Sequence, residues 1–374
     1  MKRKILFITG TRADFGKLKP LIKTVEDSQN FESYIFATGM HMLVKYGSTY
    51  DEIRKTGFDN IFPYINQSNN TSSDMDIVLS NTLQGIGHYI REIRPDLIVV
   101  HGDRVEAMAG ALVGALNNIL VAHIEGGELS GTVDELIRHS ITKLSHIHFV
   151  ANEDAKKRLI QMGEYEYSIY IIGSSDIDVM MSNDLPDLPE VQKKYEIIFD
   201  DYYIFLYHPV TTEIHDLRTN IETIIDTLVA SNLNYVCIYP NNDKGSDIIF
   251  ESLRLLSNNQ KFRLIPSMRF EYFLSLLKHT KAIIGNSSAG IREAPVYGIP
   301  TINIGSRQSN RYCYESILNV QEDKKEILKT LQHLPTKVRP SQYFGDGKSA
   351  EKFIKYLNDS PIWDLSIQKQ FNDL

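Results

Sequence analysis

Two short segments carry the residues best suited to chemistry: Leu97-Ile-Val-Val-His-Gly-Asp-Arg104 and Val121-Ala-His-Ile-Glu-Gly-Gly-Glu128. Each is an apolar run of strand length that stops abruptly at charged residues and glycine, the pattern of a parallel strand covered on both faces. Ligands of open α/β sheets bind beyond the carboxyl ends of such strands, so Asp103, Arg104, Glu125 and Glu128 are expected at one crevice. Carboxylates beside an arginine, with glycines that admit a ligand close to the backbone, suit acid/base chemistry on a charged substrate. Polar loops after strands need no function, but here the pattern occurs twice in succession.

Further motifs suit phosphate. The first apolar run ends in Gly10-Thr-Arg-Ala-Asp-Phe-Gly16, with Lys17 next. A glycine-containing turn that opens a helix can cradle an anion. It is neither GxGxxG nor a Walker A loop, and Arg12 could equally pair locally. The segment Ile284-Gly-Asn-Ser-Ser-Ala-Gly-Ile-Arg-Glu-Ala-Pro295 also follows an apolar run and starts a helix. Free N–H groups there, with the Ser287 and Ser288 hydroxyls, would hold a phosphate, and Glu293 one turn on would accept from ribose hydroxyls. An ordinary serine N-cap looks the same. Arg307 and Arg311 match diphosphate oxygens or are solvated surface arginines. His208, in His208-Pro-Val-Thr-Thr-Glu213, follows a strand and is read as a contact to phosphate or leaving group. Asn241, in the equivalent place after the next strand, is read as a contact to base or diphosphate, with a plain polar turn as the alternative. His146 and His148 share one strand face near His123 and His139, but no HExxH or comparable spacing is present and no metal is expected. No G-x-S-x-G elbow appears.

The elements that position these residues alternate. Strands are expected at Lys4–Thr9, Tyr34–Ala37, Leu97–His101, Leu120–Ile124, His146–Val150 and Ile169–Ile172, with helices including Ser73–Ile93, Arg104–Asn117 and Asp134–Leu144 between them. Alternation of this kind implies βαβ units and a parallel sheet. Asp184–Glu190, rich in proline and acid, reads as a linker. Strands then resume at Tyr203–Tyr207, Tyr235–Tyr239, Arg263–Ile265, Ala282–Ile284 and Thr301–Ile304, separated by helices at Leu217–Ser231, Asp247–Ser257, Arg269–His279 and Ala289–Val296, with a further helix at Lys324–Leu331. The tail from about Lys348 reads as a helix, then Asn358-Asp-Ser-Pro361, then a last amphipathic segment, and the expected domains are 1–183 and 191–357, with 358–374 crossing back to the first. Two doubly wound domains would face a central cleft, a usual place for a ligand.

A chain of 374 residues suits two domains. A net charge of −7 without a long basic run argues against a nucleic-acid surface. The only cysteines, Cys237 and Cys313, are far apart, which fits a reducing cytoplasm better than a disulfide scaffold. The apolar N-terminal stretch is too short for a signal peptide, and no segment reaches membrane-spanning length.

The motifs Gly-Thr-Arg-Ala-Asp-Phe-Gly-Lys, His-Gly-Asp-Arg, His-Ile-Glu-Gly-Gly-Glu-Leu-Ser-Gly-Thr, Arg-His-Ser-Ile-Thr-Lys-Leu-Ser-His, His-Pro-Val-Thr-Thr-Glu and Gly-Asn-Ser-Ser-Ala-Gly-Ile-Arg-Glu-Ala-Pro together resemble the hydrolysing UDP-N-acetylglucosamine 2-epimerases, especially the bacterial sialic-acid branch. The resemblance covers nearly the whole chain in the same order. It implies a two-domain GT-B fold with the nucleotide mainly on the second domain. It implies an activity that hydrolyses the glycosidic bond of UDP-N-acetylglucosamine, releasing UDP and N-acetylmannosamine. Asp103, Glu125 and Asp134 resemble the catalytic carboxylates. Arg12, His208, Asn241, Ser287, Ser288, Glu293 and Arg307 resemble the UDP contacts, and Lys17 and Arg104 in the same motifs are counted with the substrate contacts. Non-hydrolysing relatives carry Gly-Thr-Arg-Pro-Glu at the first loop and a Thr-x-His-Arg-type motif where this chain has His208-Pro-Val-Thr-Thr. The implied route, elimination of UDP to a glycal and then hydration, is redox-neutral and cationic side chains can meet the leaving-group charge, so no cofactor is expected. A homodimer or homotetramer is expected, with Ser73–Ile93 and Arg104–Asn117 as contact surfaces. A GT-B glycosyltransferase, a non-hydrolysing epimerase and a hydrolysing epimerase of UDP-N,N'-diacetylbacillosamine remain alternatives.

Overall fold

The computed structural model describes residues 2–43, 49–67, 74–130, 133–210, 212–240, 245–309, 311–336, 338–359 and 361–373. The chain divides into two compact units, Met1–Met181 with Tyr343–Leu374, and Ser182–Gln342.

The first unit is built on strands β1 (Arg3–Thr9), β2 (Phe31–Ala37), β3 (Ile61–Pro63), β4 (Leu97–His101), β5 (Leu120–Ile124), β6 (Ile147–Val150) and β7 (Ile169–Ile171). They form one parallel sheet in the order β3-β2-β1-β4-β5-β6-β7. Its helices are α1 (Arg12–Glu26), α2 (Tyr50–Arg54), α3 (Met75–Ile93), α4 (Val105–Leu116), α5 (Val133–Leu144), α6 (Glu153–Gln161) and α7 (Ser175–Met181). Alternate residues of β1 serve opposite faces, as the pleat requires. Ile5 and Phe7 pack with Leu18 and Leu21 of α1, whereas Leu6 and Ile8 pack with Ile86 of α3 and Ala109 of α4.

The second unit repeats the plan with β8 (Tyr203–Leu206), β9 (Tyr235–Ile238), β10 (Phe262–Ile265), β11 (Ile283–Gly285), β12 (Thr301–Ile304) and β13 (Ile317–Val320), all parallel, in the order β10-β9-β8-β11-β12-β13. Helices α8 (Leu188–Tyr195), α9 (Leu217–Ser231), α10 (Ser246–Arg254), α11 (Phe270–His279), α12 (Ala289–Arg292) and α13 (Lys324–Gln332) flank it. Cys237 lies in the core with Phe205 and Ile284, and Cys313 is exposed.

Several expectations need correction. The proline-rich stretch at Asp184–Glu190 is partly a helix start: the Asp187 side chain accepts the Glu190 N–H at 2.8 Å, and Pro189 falls in the first turn of α8, where its missing N–H costs nothing. The helix expected over Ala289–Val296 is two pieces, because α12 gives way to a 3₁₀ turn at Ala294–Tyr297 that contains Pro295. The chain returns to the first unit earlier than expected. Helix α14 (Ser349–Asp359), placed by the sequence reading in the second domain, buries Phe353 against Phe149 of β6, ring centroids 4.9 Å apart, and Asp178 accepts the N–H groups of Ser349 and Ala350 at its start. Strands β3 and β13 had no counterpart in the sequence reading.

Candidate active site

Strand order in the first sheet reverses between β1 and β4, and the segments that leave these strands supply most of the charged groups. Glu125 directly follows β5 with φ of +63°, a left-handed conformation that costs a non-glycine residue about 1 kcal/mol. Two bonds hold it there: its N–H donates to Phe149 O at 3.0 Å, and Arg138 Nη1 donates to its carbonyl at 2.8 Å. Strain retained at a buried carboxylate is a mark of function.

Only 4% of Glu125 is exposed. Its Oε1 accepts from Ser174 Oγ at 2.5 Å and lies 3.2 Å from Lys17 Nζ, and its Oε2 is 3.4 Å from His101 Nε2. Lys17 is also 3.4 Å from Asp176, which is fully buried. On its other side, His101 Nδ1 stands 2.9 Å from Asp14 Oδ1. Asp14 is fixed by helix capping: Thr11 Oγ1 accepts the Asp14 N–H at 3.1 Å, while Asp14 Oδ2 accepts the Gly10 N–H at 3.0 Å. Burial disfavours the charged imidazole, but the Glu125 and Asp14 carboxylates outweigh it and raise the His101 pKa to about 9. Buried carboxylates are thus interleaved with Lys17 and protonated His101, the pairing that low-dielectric surroundings demand.

Asp103 follows Gly102 after β4, and its carboxylate pairs with Nη2 of the buried Arg138. One guanidinium therefore ties Asp103 to the Glu125 backbone. Asp134 lies one turn before Arg138 on the same face of α5. The structure thus brings Asp103 and Glu125 together through Arg138 and places Asp134 on the helix that holds them. Lys17, counted with the substrate contacts in the sequence, stands against Glu125. Arg12 makes a bidentate pair with Glu52 at 3.0 and 2.9 Å, and Arg104 Nε is 3.4 Å from the buried Glu106.

Sequence reasoning left Asp14, His101, Arg138, Ser174 and Asp176 without a role. Capping spacing after Thr11 and the end of the β4 apolar run were signals for Asp14 and His101; Ser174 and Asp176 carried none. His123, His146 and His148 have structural partners. His123 donates from Nε2 to Gly102 O at 2.8 Å and accepts from Thr142 Oγ1 at 3.1 Å. His148 donates to Glu164 at 3.0 Å, and His146 accepts the Val121 N–H at 3.1 Å.

The second sheet reverses order between β8 and β11. Gly285 ends β11 at φ of +130°, and a Cβ there would stand 2.1 Å from Leu206 O, so glycine lets the two strands meet. Just beyond, Asn286 and His208 exchange hydrogen bonds: the His208 N–H donates to Asn286 Oδ1 at 2.7 Å and Asn286 Nδ2 to His208 O at 2.8 Å. The Asn286 carbonyl accepts from Arg307 Nη1 at 3.1 Å and Gln308 Nε2 at 2.8 Å. Burial, then the Arg307 charge, lower the His208 pKa to about 3, so its imidazole is neutral. Ser287 and Ser288 precede α12, with the Ser287 hydroxyl accepting the Ala289 N–H at 3.3 Å, and buried Glu293 follows that helix. His208, Asn286, Ser287 and Arg307 thus meet at the switch point; Asn241 lies outside the described residues.

Two parallel-sheet Rossmann-like units, each with its polar residues gathered where the strand order reverses, define an α/β protein of the GT-B type. The model of the UDP-N-acetylglucosamine 2-epimerase family matches residues 23–358, and the chain belongs to that family. A UDP-N-acetylglucosamine 2-epimerase of Neisseria meningitidis serogroup B is 48% identical over 100% of this chain and 99% of its own length. A UDP-N,N'-diacetylbacillosamine 2-epimerase (hydrolyzing) of Legionella pneumophila is 34% identical over 99% of both chains. Among solved structures, UDP-GlcNAc 2-epimerase from Neisseria meningitidis bound to UDP-GlcNAc shares the fold, with a TM-score of 0.79 and 19% identity over 95% of this chain and 99% of that one. Among the described residues no helix is long and apolar enough to cross a membrane.

Proposed function

We propose that this enzyme is a hydrolysing 2-epimerase that converts UDP-N-acetylglucosamine and water to UDP and free N-acetylmannosamine, a precursor for sialic acid synthesis. The buried Glu125 carboxylate, flanked by His101 and Lys17 and joined through Arg138 to Asp103, carries this reading. The Legionella relative, named as hydrolyzing and similar over nearly its full length, supports the water-consuming branch.

The reaction runs in two stages. A carboxylate takes the C2 proton, the electrons of that bond form C1=C2, and the C1–O bond breaks with its electron pair leaving on UDP. Water then adds its hydroxyl to C1 of the glycal, and a proton returns to C2 from the opposite face. Asp103 and Glu125 form the acid/base pair with Asp134 as third participant. Arg12 and Arg104 contribute to substrate binding on the first unit. On the second unit His208, Ser287, Ser288, Glu293, Arg307 and Asn241 hold UDP, Arg307 supplying charge that neutral His208 does not. Exposed Met75, Ile77 and Leu116 on α3 and α4 support a homo-oligomer through those helices.

Proton NMR with UDP-N-acetylglucosamine in deuterated water tests the reading. Released UDP with N-acetylmannosamine deuterated at C2 is expected. Formation of UDP-N-acetylmannosamine instead would overturn hydrolysis. Turnover of only UDP-N,N'-diacetylbacillosamine, the substrate in the Legionella relative's name, would keep the mechanism and change the sugar.

A further inference from the structure

The residues of the first unit that follow α14 end in a strap pinned to the far end of α5. The Ile367 carbonyl accepts from His146 Nε2 at 3.0 Å, Gln368 Nε2 donates to Asn118 Oδ1 at 3.2 Å, and the Phe371 carbonyl accepts from Tyr165 Oη at 3.4 Å. Between these pins, Lys369 turns inward. Its ammonium donates to the carbonyls of Thr142, Lys143 and Ser145 at 3.0, 3.2 and 2.7 Å and lies 2.5 Å from Glu164 Oε2. Glu164 is 1% exposed and is shared with His148 and Lys143.

The last carbonyls of a helix lack partners within it and carry the negative end of its dipole. An ammonium offers three donors to such a site. Lys369 is therefore a C-terminal cap of α5 delivered from a distant part of the chain, with Glu164 as its buried counter-charge.

The helix it caps carries a stripe in successive turns: Asp134, Arg138 and Thr142. Arg138 holds Asp103 and the Glu125 carbonyl. The Thr142 hydroxyl bonds His123, whose other nitrogen holds the Gly102 carbonyl directly before Asp103. The carbonyl of that same Thr142 receives Lys369. Two lines of contact thus run from the capped end of α5 to the acid/base groups.

We propose that Lys369 is a positioning residue: by capping the C-terminal end of α5 it fixes the place of the Asp134–Arg138–Thr142 stripe, and through it the geometry of Asp103 and Glu125. This inference rests on the reading of those carboxylates as the acid/base groups.

The test compares Lys369→Met, which keeps length and loses charge, with Lys369→Arg, using turnover, UDP titration and backbone hydrogen exchange. Lys369→Met is expected to lower kcat at least tenfold and leave the UDP dissociation constant unchanged. It should speed exchange in Val133–Leu144 and around Gly102–Asp103, and Lys369→Arg should recover most of the kcat. If Lys369→Met does not fold, Glu164→Gln, which withdraws the counter-charge, should give the same exchange pattern and a several-fold loss of kcat. A folded Lys369→Met or Glu164→Gln with exchange in α5 unchanged and kcat within twofold of wild type overturns the proposal. So does a lowered melting temperature with kcat unchanged. Wild-type protein inactive on both UDP-sugars would overturn the functional reading instead, and the exchange comparison would still decide whether Lys369 holds α5.

Discussion

His101 and Glu125 form a buried contact, Nε2 to Oε2 at 3.4 Å, in which the carboxylate keeps the imidazole protonated past neutral pH. The folded protein binds this proton more tightly than the unfolded chain, where histidine titrates near 6.5. The stabilisation is complete below pH 6.5 and is lost as pH rises through about 9, by at most about 1.4 kcal/mol per pH unit. Thermal unfolding of wild type and His101→Gln across this range should show a slope in the first that is missing in the second. Activity should also fall as pH passes 9, since Glu125 then loses a cationic neighbour. Parallel unfolding profiles would remove His101 from this role.

Glu125→Gln retains the shape of the side chain and cannot take a proton. Turnover should drop by roughly 10²–10⁴, the usual contribution of a positioned acid or base, while the protein folds and binds UDP as before. Calorimetric UDP titration beside a turnover assay checks both halves. Near-normal kcat in the folded variant would exclude Glu125 as the proton acceptor.

Arg307→Ala removes the cation beside the neutral His208. UDP affinity should weaken roughly tenfold or more, because a charge-assisted bond to phosphate is worth about 1.5–3 kcal/mol. An unchanged dissociation constant would show that Arg307 does not meet the diphosphate. His208 adds an acid-side signature of opposite sign to that of His101. Its folded pKa of about 3 lies below the unfolded value, so stability present above pH 6.5 declines as pH falls towards 3. His208→Asn should flatten that decline in acid unfolding curves.

Gly285→Ala should destabilise the second unit by roughly 2 kcal/mol or more, combining a disfavoured φ with a Cβ driven into Leu206 O. Denaturant titration followed by near-ultraviolet circular dichroism would detect it. A loss below about 0.5 kcal/mol, the scale of ordinary surface changes, would show that the strand ends can separate freely.

Much of this molecule was legible in its sequence because its central strands are continuous apolar runs. β4 and β5 stand at the expected bounds, and Asp103 and Glu125 were found as the charges that end or closely follow such runs. β3 and β13 escaped because a three- or four-residue edge strand has too few residues to show a pattern, and Pro63 in β3 speaks against a strand except at an edge. Much of the network around Glu125 was hidden for a different reason. Lys17, His101 and the Ser174–Asp176 pair come from three separate segments, and their meeting depends on the strand order and on where α1 and α7 lie. Helix α14 was assigned to the wrong domain because its amphipathic pattern shows that one face is buried but not against what.

The division of the first unit into residues 1–181 and 343–374 bears on how the protein is made. Phe353 completes a core begun by Phe7 and Phe149, and the Phe344 carbonyl accepts the N–H of Ser174, the residue that bonds Glu125. On the ribosome, all of 182–342 emerges before these closing residues do. The second unit can therefore fold while synthesis continues, whereas the unit bearing Asp103 and Glu125 waits for its final helix. A chain cut short before Phe344 would retain the whole second unit without a completed first one.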